Sequence, residues 1–511
     1  MRQNINKIEK ITESIWVKYF IFSIFIFIIA YLKFDHIFER DESQIVLIVN
    51  HNRNFFDLIK ALGYEGTTGL WHVSLWILSC IFPITPDSVS IIHGIIIVTF
   101  IYLLIFRTDI PIIYKLIFLM LPNVLWNFIY VRQYILAMLF ILLIINSIIK
   151  NKKIMPYVWI TLLMQVHVTT IPVALSFLLF LVVSKFIKTK KIEFTPLIVP
   201  VIGFSLAVMQ LLPPSDLAAG LKEWHFNTSL YGISVHFDKI IGDMLLMNDY
   251  TLQIISIPAL ISIILFFSFK KNRQITLLAI LSLLISFCAF AFIRITKYLC
   301  PHHAYLLLYT LLGFVIILWK KTEQSFNKIT YLFLIPVFIY SVYIYRVKIA
   351  DYKYAPFSYA KELAIFLDEN YSDKTVLIAP ETLYNSVRVY RNNNSLVFSL
   401  GRNEYSNYTV WNHACVDHVL YTILPIKQEN LTLDLNMVPD SIIDQEPLLI
   451  MGSEITNIFI DDEGNEIRKD VDLNDKIKLE FIRSFEGNTI KYITEEFIVF
   501  QIKRKKQSLT Q

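Results

Sequence analysis

Residues 17–42 read VKYFIFSIFIFIIAYLKFDHIFERDE, an apolar run followed closely by two adjacent carboxylates. The apolar part, 17–33, is long enough to cross a bilayer as a helix, which takes about 20 residues. Asp41 and Glu42 therefore stand where the chain emerges from the membrane. A carboxylate held near lipid head groups can act as a base toward a membrane-borne substrate, so we interpret the pair as a candidate catalytic site.

The rest of the chain repeats this apolar pattern. Of its 511 residues, 55% are hydrophobic and only 17% are charged, whereas soluble domains carry about 25% charged residues. The sequence therefore predicts a polytopic α-helical membrane protein. The shorter apolar stretch 71–86 predicts a juxtamembrane helix in the first outer loop, lying at the interface depth to which Trp71 and Trp76 are suited. About eleven transmembrane helices are expected, at 17–33, 89–106, 110–128, 131–149, 154–171, 172–187, 196–213, 250–269, 275–293, 303–319 and 328–346.

Basic connectors between these stretches predict the orientation of the protein. Short loops rich in Lys and Arg stay in the cytoplasm. With eleven spans, the four basic connectors all fall on one side of the membrane, at 150–153, 185–191, 270–273 and 320–321. This arrangement places Asp41, Glu42 and the whole C-terminal tail on the outer face.

The C-terminal tail differs in composition from the part that precedes it. An amphipathic helix is predicted from Ser358, and buried strands are predicted at 375–379 and 395–398. We therefore predict a transmembrane domain over 1–346 and an extracytoplasmic α/β domain over 347–511.

Composition also excludes several classes of function. The net charge of +5 reflects orientation signals, so no nucleic-acid partner is expected. The four cysteines form no CxxC pair and no zinc spacing. No glycine-rich phosphate loop is present, which leaves a cytoplasmic nucleotide-sugar site unsupported. High Ile, Lys and Asn usage is typical of a bacterium with an AT-rich genome, and the expected location is its plasma membrane.

Four short motifs follow the acidic pair along the chain. They are EGTTGLW at 65–71, VRQYIL at 131–136, VHVTT at 166–170 and CPHHAY at 300–305. In this order, the motifs resemble those of the integral-membrane GT-C glycosyltransferases, particularly the bacterial relatives of protein O-mannosyltransferases and aminoarabinose transferases. The chain departs from that pattern at 67–69, where Thr-Thr-Gly replaces His-Pro-Pro, and at 125–128, where Asn127 stands in a loop without an acid.

The resemblance implies an inverting GT-C glycosyltransferase that moves a sugar from a polyprenyl-phosphate-linked donor to a glycan, lipid or protein acceptor at the membrane. It implies that Asp41 is the general base and that Glu42 either positions the acceptor or shares the charge. No cofactor and no metal are expected beyond this lipid-linked donor. The residues expected to bind substrate are Glu65, Arg132, Tyr134, His167, Lys297, His302 and His303.

The residues themselves leave other interpretations open. Arg132 can snorkel from the end of a span, and His167 can be a satisfied core histidine. The His302–His303 pair can be an ordinary interfacial pair, and metal binding there is unsupported. A polysaccharide polymerase of the exopolysaccharide type is an alternative function, since such proteins have an Arg-Gln at a span start and a histidine one span later. A transporter or flippase is the second alternative.

Overall fold

The computed structural model describes most of residues 14–212 and parts of the chain beyond them. The described residues are 14–34, 36–65, 67–212, 214–215, 273–296, 305–322, scattered positions within 339–352, 358–379, 383–391, 397–399, 403–410, 438–452, 470–472, 476–485 and 495–505. The predicted site residues Lys297, His302 and His303 lie outside this set, as does the predicted span 250–269.

The described residues between 14 and 322 are almost entirely helical. Its helices are α1 (Ile15–Lys33), α2 (Arg40–His51), α3 (Phe55–Leu62), α4 (Leu70–Ser79), α5 (Pro86–Arg107), α6 (Ile112–Leu119), α7 (Pro122–Ile129), α8 (Tyr134–Ile149), α9 (Met155–Met164), α10 (Thr170–Thr189), α11 (Ile198–Gln210), α12 (Arg273–Thr296) and α13 (Tyr305–Thr322). One large hydrophobic cluster joins α1, α5 and α8 to the helices around them.

Four of the described helices are long and apolar enough to cross a membrane: Ile15–Lys33, Pro86–Arg107, Thr170–Thr189 and the Arg273–Phe290 part of α12. The other apolar helices in the described part of the chain are shorter, such as α8 and α9. A helical protein with membrane-spanning character is thus confirmed, whereas the predicted number of about eleven spans is not.

The stretch 110–128 shows one reason for the difference. The sequence predicts a single span there, but the structure has two eight-residue helices, α6 and α7, separated at Met120 and Leu121. Pro122 lacks a backbone N–H and has its φ fixed, so it begins a new helix instead of continuing the old one.

Helix α4 also differs from its expected setting. Trp71, expected at the membrane interface, has 1% of its surface exposed and packs with Leu75 in a cluster that includes residues of α2. Trp76 donates from Nε1 to the Asn52 carbonyl at 3.0 Å. Both side chains are therefore used for packing inside the protein, because α4 packs against α2.

The helix ends separate into a basic end and an acidic end. At the basic end, Lys150 Nζ lies 3.5 Å from the Arg107 carbonyl oxygen, and Lys320 Nζ lies 3.9 Å from Asp109 Oδ2. At the other end, Lys33 Nζ donates to the Ile129 carbonyl at 3.1 Å. Helix α2, which carries Asp41 and Glu42 in its first turn, starts close to this second end. The candidate site therefore lies at the opposite end of the bundle from Arg107, Lys150 and Lys320.

The C-terminal part contains a small mixed sheet with helices beside it. The strand order is β3-β2-β1-β4-β7-β6-β5, in which β1 is parallel to β2 and β4 and the other pairs are antiparallel. The predicted strands 375–379 and 395–398 coincide with β1 and β2. The strands and helices of this part are β1 (Val376–Ala379), β2 (Val397–Ser399), β3 (Glu404–Tyr405), β4 (Leu448–Gly452), β5 (Val471–Asp472), β6 (Ile477–Phe485), β7 (Phe497–Arg504), α14 (Ala360–Asn370), α15 (Tyr384–Arg388) and α16 (Asp440–Ile443).

Candidate functional site

The N-terminus of α2 carries the acidic residues of the candidate site. Glu39 is the N-cap, and its side chain accepts from the backbone N–H groups of Asp41 at 3.1 Å and Glu42 at 3.2 Å. The Glu42 side chain in turn accepts from the Glu39 N–H at 3.0 Å. This reciprocal capping box satisfies donors that a helix start leaves unpaired, and negative charge is favourable at that end of a helix. The positions of the Glu39 and Glu42 carboxylates are therefore fixed by the helix start.

Arg132 joins two of these carboxylates from another part of the chain. Its Nη2 lies 2.6 Å from Glu39 Oε1 and 2.6 Å from Asp41 Oδ2. The Glu39 side chain is 1% exposed, whereas that of Asp41 is 50% exposed and that of Arg132 is 15% exposed. We call Glu39, Asp41 and Arg132 the Arg132 cluster. Within it, Asp41 is the carboxylate that a molecule from outside can reach.

Burial and charge act in opposite directions on Glu39. Burial raises the pKa of Glu39, the Arg132 guanidinium lowers it, and the neighbouring carboxylates Asp41 and Glu42 raise it again. The net pKa lies above the ordinary value. The positive charge of Arg132 therefore stabilises the ionised form of Glu39.

Glu42 has a different environment from Asp41, although the two are adjacent in sequence. It is fully buried, and its oxygens lie 2.8 and 3.0 Å from His36 Nε2 and accept from the Val131 N–H. Burial alone would raise its pKa, but His36 and the backbone donors outweigh that effect and lower it. Glu42 ties the segment after α1 to the residue before Arg132. The acceptor-positioning role expected for Glu42 does not fit this enclosed setting, which favours a structural one.

We predict that Glu42→Ala destabilises the protein, because it leaves the Val131 and Glu39 N–H groups and His36 without their acceptor. Removing one partner of a buried charged pair costs about 3–5 kcal/mol. Denaturant unfolding in detergent would measure this loss. Glu362→Ala, at an exposed position of α14, is the matched control and is expected to change the free energy of unfolding by less than about 0.5 kcal/mol. Equal stability of the two variants would rule out the structural role of Glu42.

Tyr134 and His167 lie beside the Arg132 cluster. The Tyr134 side chain is buried, and its ring centroid is 5.4 Å from that of His167. His167 lies in the connection between α9 and α10, where its Nδ1 accepts from the Thr169 N–H at 3.2 Å. Burial and the nearby Arg132 both lower the pKa of His167. The ring is therefore a neutral imidazole that adds no positive charge to the cluster.

Glu65 is connected to α2 but is not part of the Arg132 cluster. Gln44, one turn after Asp41, donates from Nε2 to Glu65 Oε1 at 2.8 Å and to the Thr409 carbonyl at 2.7 Å. Burial raises the pKa of Glu65 to about 7, against the effect of the Gln44 hydrogen bond. The four described residues expected to bind substrate thus fall into two groups, Arg132 with Tyr134 and His167 in one, and Glu65 in the other.

The C-terminal part contacts α2 directly. The Arg40 N–H donates to Glu495 Oε1 at 2.9 Å, and the Phe38 N–H donates to the Tyr390 hydroxyl at 2.7 Å. These contacts place the C-terminal sheet and α2 on the same side of any membrane that the helices cross.

Glu495 makes this contact sensitive to pH. Burial raises its pKa, as does Glu39, while Ser358 and Arg40 lower it. Because the folded protein binds the Glu495 proton more tightly than the unfolded chain, this stabilisation is present at acid pH and is lost as the pH rises past the raised pKa. We therefore expect the unfolding temperature to fall as the pH rises from about 4.5 to about 8, and Glu495→Gln to reduce that slope. A slope unchanged in Glu495→Gln would assign the pH dependence to other groups.

Three contributors to the site were not predicted as site residues: Glu39, His36 and Gln44. The Glu-x-x-Glu spacing of Glu39 and Glu42 is a capping-box pattern and could have identified Glu39. No local pattern indicates His36 or Gln44, because their partners are set by packing. Among the residues that the structure describes, no group of three or more His, Cys, Asp or Glu side chains is arranged to hold a metal ion.

Comparisons with known proteins assign no function to this site. No protein-family model matches the chain, and no curated protein or solved structure matches it at a significant level. The functional assignment therefore rests on the position and contacts of Asp41 and Arg132.

Proposed function

We propose that this protein is a membrane glycosyltransferase that moves a sugar from a polyprenyl-phosphate-linked donor to an acceptor on the extracytoplasmic face. The observation that carries the proposal is the half-exposed Asp41 held 2.6 Å from Arg132. The pair lies at the bundle end opposite Arg107, Lys150 and Lys320. Basic loops face the cytoplasm, so the opposite end faces outward.

The chemistry assigned to Asp41 is proton removal from the acceptor hydroxyl. The acceptor oxygen forms a bond to the anomeric carbon of the donor sugar as the bond from that carbon to the phosphate oxygen breaks. The proton goes to Asp41, and the electron pair leaves with the lipid phosphate. Attack from the side opposite the phosphate inverts the configuration of the sugar. General-base catalysis of this kind contributes about 10²–10⁴-fold to rate.

Arg132 has the role of holding the leaving phosphate. A guanidinium forms bidentate hydrogen bonds to phosphate and stabilises the charge that grows as the bond to the sugar breaks. Since Nη2 of Arg132 already contacts Asp41 and Glu39, the phosphate competes with these carboxylates. Donor binding thus draws Arg132 away from Asp41 and releases the carboxylate to accept a proton. His167 lies beside Arg132 and, as a neutral ring, adds no positive charge to this phosphate site.

The proposal is tested by mass spectrometry of cell-envelope glycans from cells with and without the gene for this protein. Loss of one specific sugar from a glycan, lipid or protein, restored by the wild-type gene, is the expected result. Unchanged envelope glycans, glycolipids and glycoproteins would contradict the proposal.

A second candidate, a polysaccharide polymerase, is favoured by one specific observation. Arg132, just before α8, and His167, in the connection between α9 and α10, lie near enough for Arg132 to lower the pKa of His167, and Tyr134 contacts the His167 ring. An Arg-Gln at a span start and a histidine one span later are the features that the polymerase alternative predicts. The same glycan measurement separates the two functions, because loss of a polymerase leaves complete single repeat units without long chains.

A further inference from the structure

A cavity of about 250 Å³ lies between the first outer segment and the C-terminal part. Its polar lining includes Asn52, Asp57, Lys60, Tyr64 and Glu65 from the outer segment and Tyr408 from the C-terminal part. The cavity is thus large enough for a small polar ligand and is distinct from the Arg132 cluster.

The wall formed by the C-terminal part is held in place on two sides. The Thr409 N–H donates to Asn385 Oδ1 at 3.0 Å, and the Thr409 carbonyl accepts from Gln44. The Tyr408 ring packs against His51, with ring centroids 6.1 Å apart. These contacts fix the Tyr408 ring at the cavity before any ligand arrives, which lowers the ordering cost of binding.

The polar groups of the lining suit hydroxyl groups. Asp57 and Glu65 offer acceptors, and Asn52 and Lys60 offer donors. Burial raises the pKa of Glu65 to about 7, so this carboxyl can also donate near neutral pH. The faces of Tyr64 and Tyr408 provide the amphipathic surface on which the C–H side of a sugar ring can pack.

The charges of the lining argue against an anionic ligand. Asp57 and Glu65 supply up to two negative charges, and Lys60 supplies one positive charge. A lining with more negative than positive charge does not attract phosphate, whereas the guanidinium of Arg132 does. An uncharged, hydroxyl-rich ligand fits this lining better than a lipid head group does.

We propose that this cavity binds an uncharged saccharide unit of the acceptor, next to the site of transfer. This inference rests on the proposed function, because the ligand is assigned as the acceptor only if Asp41, on the helix that contacts the cavity wall, is the catalytic base. Gln44, which bonds both Glu65 and Thr409, follows Asp41 by three residues on α2, or ~4.5 Å along the helix axis. A sugar held in the cavity therefore extends toward Asp41 with its next unit or its free hydroxyl.

Saccharide binding can be measured without any transfer reaction. The full-length protein in detergent is titrated by native mass spectrometry with a panel of neutral di- and trisaccharides of hexoses and N-acetylhexosamines, and with the matching sugar phosphates. We expect at least one neutral member to bind the wild-type protein, and to bind more tightly than its matching phosphate. Tyr408→Ala is expected to weaken that binding at least about tenfold.

Two variants serve as comparisons. Tyr405→Ala removes a tyrosine that is 43% exposed and outside the cavity lining, and it should leave saccharide binding unchanged. Lys60→Ala, at an exposed helix position, provides a lining variant that does not depend on Tyr408 and should also weaken binding. Binding of no neutral member, preference for the phosphates, or binding at the wild-type level by both lining variants would overturn the saccharide site. None of these results bears on transfer by Asp41, which the glycan comparison tests separately.

Discussion

Replacing Arg132 with Ala is expected to destabilise the protein by about 3–5 kcal/mol and to abolish sugar transfer. The stability loss follows from Glu39, whose buried carboxylate would lose its guanidinium partner at 2.6 Å. The partner at Asp41 contributes little to stability, because that carboxylate is half exposed and such pairs are worth about 0–1 kcal/mol. Denaturant unfolding and transfer from a lipid-linked donor measure the two effects.

Arg132→Lys separates charge from geometry in this cluster. Lys keeps the positive charge but cannot present the planar fork of Arg to a phosphate. We expect this variant to remain folded and to lose less stability than the Ala variant. It should need a higher concentration of donor than wild type for half-maximal transfer, but the same concentration of acceptor. If donor dependence is the same in Arg132→Lys and wild type, Arg132 does not bind the phosphate.

Asp41→Asn is expected to lower the rate of transfer by at least about 100-fold without changing stability appreciably. An amide keeps the size of the side chain but cannot accept a proton at neutral pH. Since Asp41 also competes with phosphate for Arg132, the variant should bind polyprenyl phosphate more tightly than wild type. Lost transfer together with stronger binding of the lipid phosphate distinguishes a missing base from a damaged binding site.

Asp87→Asn is the matched control for this substitution. Asp87 is an exposed carboxylate in the first turn of α5, outside the Arg132 cluster. It should leave both transfer and polyprenyl-phosphate binding at wild-type values. Equal effects of the Asp41 and Asp87 variants would show that general loss of negative charge, and not the base, is responsible.

Sequence patterns predicted those parts of this structure that depend on local periodicity. The apolar run before Asp41 forms helix α1, and the short buried patterns after Ser358 form β1 and β2. Span counting was less successful because hydrophobicity alone does not show where a helix stops. Pro122 divides one apolar stretch into two helices, and a connection interrupts another around His167.

The candidate site was predictable only in part, for a related reason. Charge and predicted orientation placed Asp41 and Arg132 on one face, and the structure brings them within 2.6 Å. The separate settings of Asp41 and Glu42 were not predictable, because burial of Glu42 depends on His36 and Val131. Long-range partners of this kind, such as Glu495 for Arg40, leave no pattern near the residues they contact.

The rate of sugar transfer in proteoliposomes tests the account most directly. The wild-type protein and Asp41→Asn would each be supplied with the lipid-linked saccharides extracted from native cells and with their envelope acceptor. The account predicts transfer by the wild-type protein and at least about a 100-fold lower rate for the variant. Transfer by Asp41→Asn at the wild-type rate, or the lack of any transfer by the wild-type protein, would contradict it.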